Sequence, residues 1–179
     1  MKRSAQSGFS MVEIMIAIAV LGIVIALGLP AYGTWIQNTQ IRTASEAVMN
    51  GLQTARNEAI RRNTSVQFRL TNATTSQWAV NLSSSPDLDP PMFGRSSEEG
   101  SPNVVVTRTP GDADTVTFSA LGRVVPNADA SPSITQVGVD NLLIPVVADR
   151  RNLVIVIPNG GALRMCDPKV AAGDPRACN

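Results

Sequence analysis

The sequence predicts an α+β fold in which one long N-terminal helix packs on an antiparallel β-sheet domain. Apolar residues first form a nearly unbroken run and then recur every three or four positions up to residue 62, which is the period of an α-helix. From residue 63 onward the period falls to two, which is typical of half-buried strands. This change divides the sequence into a helical part, residues 9–62, and a β-rich part, residues 63–179.

The first half of the helix, residues 9–31, is long and apolar enough to cross a bilayer. Its 23 residues would rise about 34 Å as a helix, against a hydrocarbon core of about 30 Å. Lys2 and Arg3 precede this run, and no charge follows it until Arg42. The asymmetry predicts a cytoplasmic N-terminus and translocation of the rest of the chain. Because no secretory cleavage site follows Leu29, we expect an uncleaved membrane anchor.

Two residues of this half require more than a plain membrane span. Glu13 places a carboxylate near an apolar run, where a charge costs about 2.5–3.5 kcal/mol at the centre of a spanning helix. It therefore needs either a partner or a shallow position near the lipid headgroups. Pro30 lacks an N–H and its ring crowds the carbonyl of Ala26, which predicts a helix break there.

The second half of the helix, residues 32–62, is predicted to be amphipathic. One apolar stripe recurs at helical spacing, which favours packing of this face on a sheet. The stripe consists of Ile41, Ala44, Val48, Leu52, Ala55 and Ala59.

The β-rich part contains about seven predicted strands. They are 64–70, 76–81, 104–109, 115–125, 134–140, 152–158 and 161–167. The first two should form a hairpin, and PNGG at 158–161 predicts a tight turn between the last two. Residues 83–103 and 127–133 are rich in Pro, Ser, Asn and Asp and are predicted to be loops.

The composition excludes several classes of function. The chain has no histidine, which is the commonest general base and metal ligand, and its two cysteines alone are too few for a zinc site. We therefore expect no enzyme activity, no cofactor and no metal. The 15 basic and 14 acidic residues give a net charge of +1, which argues against bulk electrostatic binding of nucleic acid.

The stretch SGFSMVEIMIAIAVLGIVIALGLPAY, residues 7–32, resembles the leader and first helix of type IV pilins and of the pseudopilins of type II secretion. The resemblance implies that residues 1–8 are a basic leader, removed when a prepilin peptidase cuts between Gly8 and Phe9. Phe9 would then be an N-methylated terminus, and Glu13 would be the family's glutamate at the fifth mature position. Pro30 would match the helix-breaking proline of the family.

This processing would supply a partner for Glu13. The amine created at Phe9 remains cationic after methylation. When identical helices pack with an axial offset, the carboxylate of one can meet the amine of another, and a wrong offset leaves both charges unpaired. We expect Glu13 to act in subunit docking, with other major and minor pilins and the inner-membrane pilus assembly machinery as partners. A shallow position near the headgroups remains compatible with this role.

The order of later motifs resembles one branch of the family. ARNEAIRRNTSVQFRL at 55–70, QWAV, VTFSALGRV and a final hairpin are similar to minor pilins of the FimT and FimU type and to GspH-type pseudopilins. The resemblance implies a low-copy minor pilin that primes or caps a type IV pilus. The alternative is a GspH-type pseudopilin of type II secretion. Either would be a single-pass protein of the bacterial inner membrane with a periplasmic C-terminal domain.

Cys166 and Cys178 are the only cysteines, and an oxidising periplasm favours a disulfide between them. It would close a loop of 13 residues, CDPKVAAGDPRAC. The minor pilins that the chain resembles often end in a similar loop, which favours a pilus subunit over a pseudopilin.

A DNA-binding minor pilin is the alternative of another class. Some FimT-type proteins bind DNA through a Gly-Arg-x-Arg motif near the C-terminus. The matching stretch here is GALR at 161–164, in which Ala162 replaces the first arginine. Arg164, Lys169 and Arg176 are the candidate contacts with DNA phosphates. The same residues are equally compatible with docking of a partner subunit.

Overall fold

The computed structural model describes residues 9–99 and 101–178, and these residues form one long helix followed by short strands. The chain divides into two compact units, with the boundary between Ile36 and Gln37. The elements are α1 (Met11–Arg62), β1 (Val66–Leu70), β2 (Trp78–Leu82), β3 (Phe93–Arg95), β4 (Val105–Thr109), β5 (Thr115–Phe118), β6 (Val124–Val125), β7 (Gln136–Asp140), a 3₁₀ turn (Val147–Asp149), β8 (Leu153–Val156) and β9 (Arg164–Cys166).

The strands form two sheets in which every pairing is antiparallel. One sheet has five strands in the order β3-β2-β1-β5-β6, and the other has four in the order β4-β7-β8-β9. The predicted α+β class, with a long helix and antiparallel strands, is confirmed. The predicted hairpins are also present as the β1–β2 and β8–β9 pairs.

The second half of α1 supplies one wall of the core, as its apolar stripe predicts. All six residues of the stripe are fully buried among side chains of the strands. Gly51 lies on this face, where an added Cβ would come within 2.8 Å of the rings of Phe68 and Trp78. This close approach explains a glycine in the middle of a helix, where it costs about 1 kcal/mol relative to alanine.

The prediction of about seven strands is wrong in two places. The predicted loop 83–103 contains the strand β3, because Asn81 holds this segment against β2: its amide donates to the Pro86 carbonyl (2.9 Å), and its side-chain oxygen accepts from the Met92 N–H (3.0 Å). The predicted strand 115–125 is divided into β5 and β6 by a turn in which Gly122 has a φ of +70°. Both features depend on contacts that leave no periodic pattern in the sequence.

The turn predicted at 158–161 forms, with a 2.8 Å hydrogen bond from the Gly161 N–H to the Pro158 carbonyl. The connection is longer than a tight two-residue turn, because β8 ends at Val156 and β9 begins at Arg164. Its Asn159 carbonyl accepts a hydrogen bond from the Val124 N–H, at 3.0 Å. The loop therefore joins the two sheets as well as two strands.

The helix is not interrupted at Pro30, contrary to the predicted break. The backbone is helical on both sides of this residue, from Met11 to Arg62. One proline removes a single backbone hydrogen bond from a helix, and the hydrogen bonds of the neighbouring turns can keep the helix continuous.

The first unit is dominated by exposed apolar residues. Within α1 one stretch has a mean hydropathy of 2.8, with none of it buried, so by length and composition this helix can cross a membrane. Tyr32 and Trp35 follow the apolar run and are stacked, with ring centroids 5.9 Å apart.

Candidate functional sites

The N-terminus of α1 carries the residues that the sequence assigns to processing and docking. Phe9 precedes the helix and is 78% exposed, and Glu13 is exposed in the first helical turn. They are four residues apart, which is about one turn of helix. Gly8 lies outside the described residues, so the Gly8–Phe9 bond itself has no structural description.

Ser10 is a functional residue that the sequence interpretation missed. Its hydroxyl accepts a hydrogen bond from the Glu13 N–H at 3.2 Å, and its carbonyl accepts one from Ile14 at 3.2 Å. Ser10 is therefore the N-cap of α1, and Glu13 occupies the position of the acidic residue in a capping box. The Ser-x-x-Glu pattern is the signal that could have revealed it. The backbone N–H of Glu13 thus takes part in the cap, and its carboxylate stands at the position from which a capping box would reach the Ser10 N–H.

The C-terminal loop is closed by the predicted disulfide between Cys166 and Cys178, which is confirmed. Cys166 is buried at the end of β9, whereas Cys178 is exposed. Inside the loop, the Asp167 N–H donates to the Arg176 carbonyl at 2.7 Å. The covalent bond and this hydrogen bond hold the C-terminal segment against the four-stranded sheet.

Arg176, one of the three candidate DNA contacts, is engaged within its own loop. Its guanidinium donates to both carboxylate oxygens of Asp174, at 3.1 and 3.0 Å, and its backbone N–H donates to the same side chain at 2.8 Å. These hydrogen bonds lower the pKa of Asp174 to about 2. The charge of Arg176 is therefore partly balanced before any ligand arrives.

Lys169 reaches out of the loop to the connection between β7 and β8. Its ammonium group donates to the carbonyls of Val147 and Arg150, the latter at 2.6 Å. The backbone N–H of Lys169 donates to the Asp167 carboxylate at 2.8 Å. Lys169 therefore links the disulfide loop to another loop. The third candidate, Arg164, lies exposed on the edge strand β9.

The basic residues at the end of α1 have hydrogen-bond and ion-pair partners within the fold. Arg56 donates from Nε to the Gly122 carbonyl at 3.1 Å, which ties the helix to the β5–β6 turn. Arg61 and Arg62 both contact the carboxylate of Glu58, at 2.5 and 2.7 Å. Hydrogen bonds from these two arginines lower the pKa of Glu58.

Two family models match the chain. The model described as type II transport protein GspH matches residues 44–171, and the prokaryotic N-terminal methylation motif matches residues 3–29. The first match covers α1 from residue 44 to its end and all nine strands that the structure describes in the two sheets. The second covers the apolar helix with Phe9 and Glu13.

The curated relatives match a short part of the chain. A fimbrial protein of Moraxella nonliquefaciens is 42% identical over 52 residues, which is 29% of this chain and 33% of the relative. The type IV major fimbrial protein FimA of Dichelobacter nodosus is 44% identical over 39 residues, which is 22% of this chain and 24% of that protein. The chain therefore spans about a quarter to a third of the length of these relatives.

The fold is similar to that of a solved structure, the type IV minor pilin FimU of Pseudomonas aeruginosa. The TM-score is 0.56 at 17% sequence identity, and the alignment covers 81% of this chain and 99% of that one. A second crystal form gives a TM-score of 0.53. With a family match across both sheets and a methylation motif on the apolar helix, the chain belongs to the GspH family of pilin-like proteins.

Proposed function

We propose that the protein is a minor pilin, a low-copy structural subunit that primes or caps a type IV pilus. The observation that carries the proposal is the combination of two parts in one chain: an exposed apolar helix with a methylation motif, and a GspH-family domain with the fold of a minor pilin. The curated relatives that match a short part of the chain are fimbrial proteins. The role is structural and involves no catalytic step.

The N-terminal helix would serve first as a membrane anchor and then as the assembly surface. Lys2 and Arg3 favour a cytoplasmic N-terminus, and the C-terminal domain of this bacterial inner-membrane protein would then lie in the periplasm. Prepilin peptidase would cut between Gly8 and Phe9 and leave an N-methylated Phe9. In the assembled filament, the apolar helix would pack against those of other pilins.

Mass spectrometry of the membrane-extracted protein tests the processing step. We expect the mature chain to begin with N-methylated Phe9 and to retain the apolar segment. A chain that keeps residues 1–8, or one cut after Leu29, would contradict the assignment.

Glu13 would set the register of assembly by pairing with the Phe9 amine of a neighbour. Its position in a capping box offers a competing explanation, because the loss of a cap also weakens a helix by about 1 kcal/mol. The two roles can be separated by substitution. Glu13→Gln keeps a side chain suited to the capping box but removes the charge, whereas Ser10→Ala removes the cap and keeps the charge.

Incorporation into sheared pili is the measurement. We expect Glu13→Gln to remain in the membrane but to be depleted from pili, and we expect Ser10→Ala to be incorporated nearly normally, once mass spectrometry has shown that both are processed. Depletion of Ser10→Ala with normal incorporation of Glu13→Gln would show that Glu13 acts only through the helix cap.

A GspH-type pseudopilin of type II secretion is the second candidate, favoured by the description of the matching family. Deletion of the protein distinguishes the two systems. A minor pilin should be required for surface pili and not for secretion of exoproteins, whereas a pseudopilin should show the reverse pattern.

A further inference from the structure

Two Asn-Gly pairs occur in the sequence, and the structure places them in opposite environments. Asn50 and Gly51 lie inside α1, and Gly51 is buried. Asn159 and Gly160 lie in the connection between β8 and β9, and both are exposed. The two sites therefore share the same pair of residues and differ in the structure around them.

An Asn-Gly pair sets a side-chain amide next to a peptide nitrogen that can attack it. When the glycine nitrogen attacks Cγ of the asparagine, a C–N bond forms and the bond from Cγ to the amide nitrogen breaks. The amide nitrogen leaves as ammonia and takes the proton of the glycine N–H. Water then opens the cyclic imide at either carbonyl and gives aspartate or isoaspartate. Glycine favours this reaction because it has no Cβ to obstruct the approach.

The two reacting groups of the exposed pair are not engaged by the fold. Neither the side-chain amide of Asn159 nor the N–H of Gly160 forms a hydrogen bond with the residues that the structure describes. A Cβ added at Gly160 would meet nothing within 4 Å, so the space around the attacking nitrogen is open. The turn is held by other groups: the Gly161 N–H donates to the Pro158 carbonyl, and the Asn159 carbonyl accepts from the Val124 N–H.

The cost of reaching the reactive geometry differs between the two sites. At Asn159 the peptide that joins it to Gly160 must rotate, which breaks the hydrogen bond from Val124. One such bond slows the reaction by about tenfold at most. At Asn50 the same rotation requires α1 to open where Gly51 packs in the core. Opening of a core element approaches the free energy of global unfolding, so the fold protects Asn50 and leaves Asn159 reactive.

We propose that Asn159 is a site of spontaneous deamidation, at which attack by the Gly160 nitrogen converts the side-chain amide to aspartate or isoaspartate. The reaction consumes only water and is irreversible because ammonia is lost. The fraction of modified turns therefore rises with the age of the protein. The site does not depend on the role in a pilus proposed above.

The two products differ in their effect on the turn. Aspartate keeps the backbone and adds a negative charge beside a cation, since Nε of Arg56 would lie 3.2 Å from a Cβ added at Gly161. Isoaspartate lengthens the backbone by one carbon atom. Gly161 has no room to shift toward the five-stranded sheet, because a Cβ added there would overlap the carbonyl oxygen of Gly122. Isoaspartate therefore displaces the turn and breaks its hydrogen bond with Val124.

Mass spectrometry of the full chain, incubated in detergent at neutral pH, tests the proposal. Trypsin cleaves after arginine and releases residues 43–56, which contain Asn50, and residues 152–164, which contain Asn159. Deamidation changes the peptide mass by the difference between NH₂ and OH. Electron-transfer fragmentation locates the change and distinguishes isoaspartate from aspartate. A sample digested at the start of the incubation gives the amount that forms during handling.

We expect at least about a hundredfold more product at Asn159 than at Asn50, since α1 must open before Asn50 can react. In a sample kept in denaturant, both sites should react comparably, because no fold distinguishes them. Gly160→Ala is the matched variant: Gly160 lacks the positive φ of Gly161 and has open space around it, so alanine fits without strain. It should reduce the product at Asn159 by at least about tenfold, because the methyl group obstructs the attacking nitrogen.

Three outcomes would overturn the proposal. The first is comparable product at Asn159 and Asn50 in the folded chain. The second is an absence of product at Asn159 over a time in which the denatured chain reacts at both sites. The third is an unchanged amount of product in Gly160→Ala, which would exclude the cyclic imide.

Thermal melting of the incubated protein tests the effect on the fold. Wild-type protein that contains isoaspartate should melt at a lower temperature than fresh protein, whereas incubated and fresh Gly160→Ala should melt alike. Equal melting of fresh and isoaspartate-containing wild type would refute the displacement of the turn.

Discussion

Replacement of Gly51 by alanine should destabilise the domain, although alanine is the better helix former. Gly51 faces the core, and an ideal Cβ at this position would lie 2.8 Å from Cε2 of Phe68 and from Cδ2 and Cε2 of Trp78. Ordinary carbon–carbon contacts are about 3.5–4.0 Å, so each of these three contacts would be about 0.7–1.2 Å too short. The two rings form a tilted pair with centroids 5.8 Å apart.

Neither ring can move easily, because Phe68 is fully buried and Trp78 is 9% exposed. Overpacking of a core costs about 1–3 kcal/mol, and we place this site in the upper half of that range. The gain in helix propensity from glycine to alanine offsets about 1 kcal/mol. The expected net loss is about 1–2 kcal/mol, which corresponds to a fall in Tm of about 2–8 °C.

The assay is thermal unfolding of the full chain in detergent, followed by near-ultraviolet circular dichroism of the tryptophan environment. Asn50→Ala is the matched control: Asn50 is the preceding residue of the same helix, but it is exposed. It should keep the wild-type Tm or raise it slightly, because alanine has the higher helix propensity. A Gly51→Ala protein that melts at or above the wild-type temperature would refute the argument from close packing.

Three further predictions concern the C-terminal region. The double substitution Cys166→Ser and Cys178→Ser should reduce the free energy of unfolding by up to about 3 kcal/mol, measured by thermal melting; an unchanged Tm would show that the loop closes without the bond. The pKa of Asp174 is about 2 when folded, below its ordinary value of 3.8, so its pairing with Arg176 stabilises the fold above pH 3.8 and is lost as the pH falls toward 2. Asp174→Asn should therefore have a lower Tm than the wild type at neutral pH, and the two Tm values should converge near pH 2. A Tm difference that stays constant with pH would contradict this linkage. Wild-type protein should bind duplex DNA weakly at physiological salt, because its net charge is +1 and Lys169 and Arg176 already have partners. Ala162→Arg should strengthen that binding if the loop is related to a DNA-binding motif, and tight wild-type binding abolished by Arg164→Ala in a gel-shift titration would instead assign the protein to DNA uptake.

The sequence by itself determined the features that depend on local pattern. An apolar run of membrane-spanning length and a stripe at helical spacing predict α1, since each residue of a helix has a fixed angular position on its surface. The buried stripe from Ile41 to Ala59 follows that pattern residue by residue. The two cysteines needed only an oxidising compartment to predict their bond, and the bond is present.

Only the tertiary structure decided which polar residues meet across the chain. Asn38 bonds to residues 111 and 113 positions away, and Asn141 bonds to Gln37 from 104 positions away. The sequence places Lys169 in a basic segment and indicates no partner for it. In the structure its ammonium group donates hydrogen bonds to the carbonyls of Val147 and Arg150, in a loop 22 and 19 residues away. Such contacts form when packed elements bring backbone groups and side chains together, and they follow no sequence period. For that reason the sequence could identify the apolar run of membrane-spanning length and the core face of α1, while the contacts of residues 141–152 with Gln37 and Asn38 emerged only from the packing of the second unit.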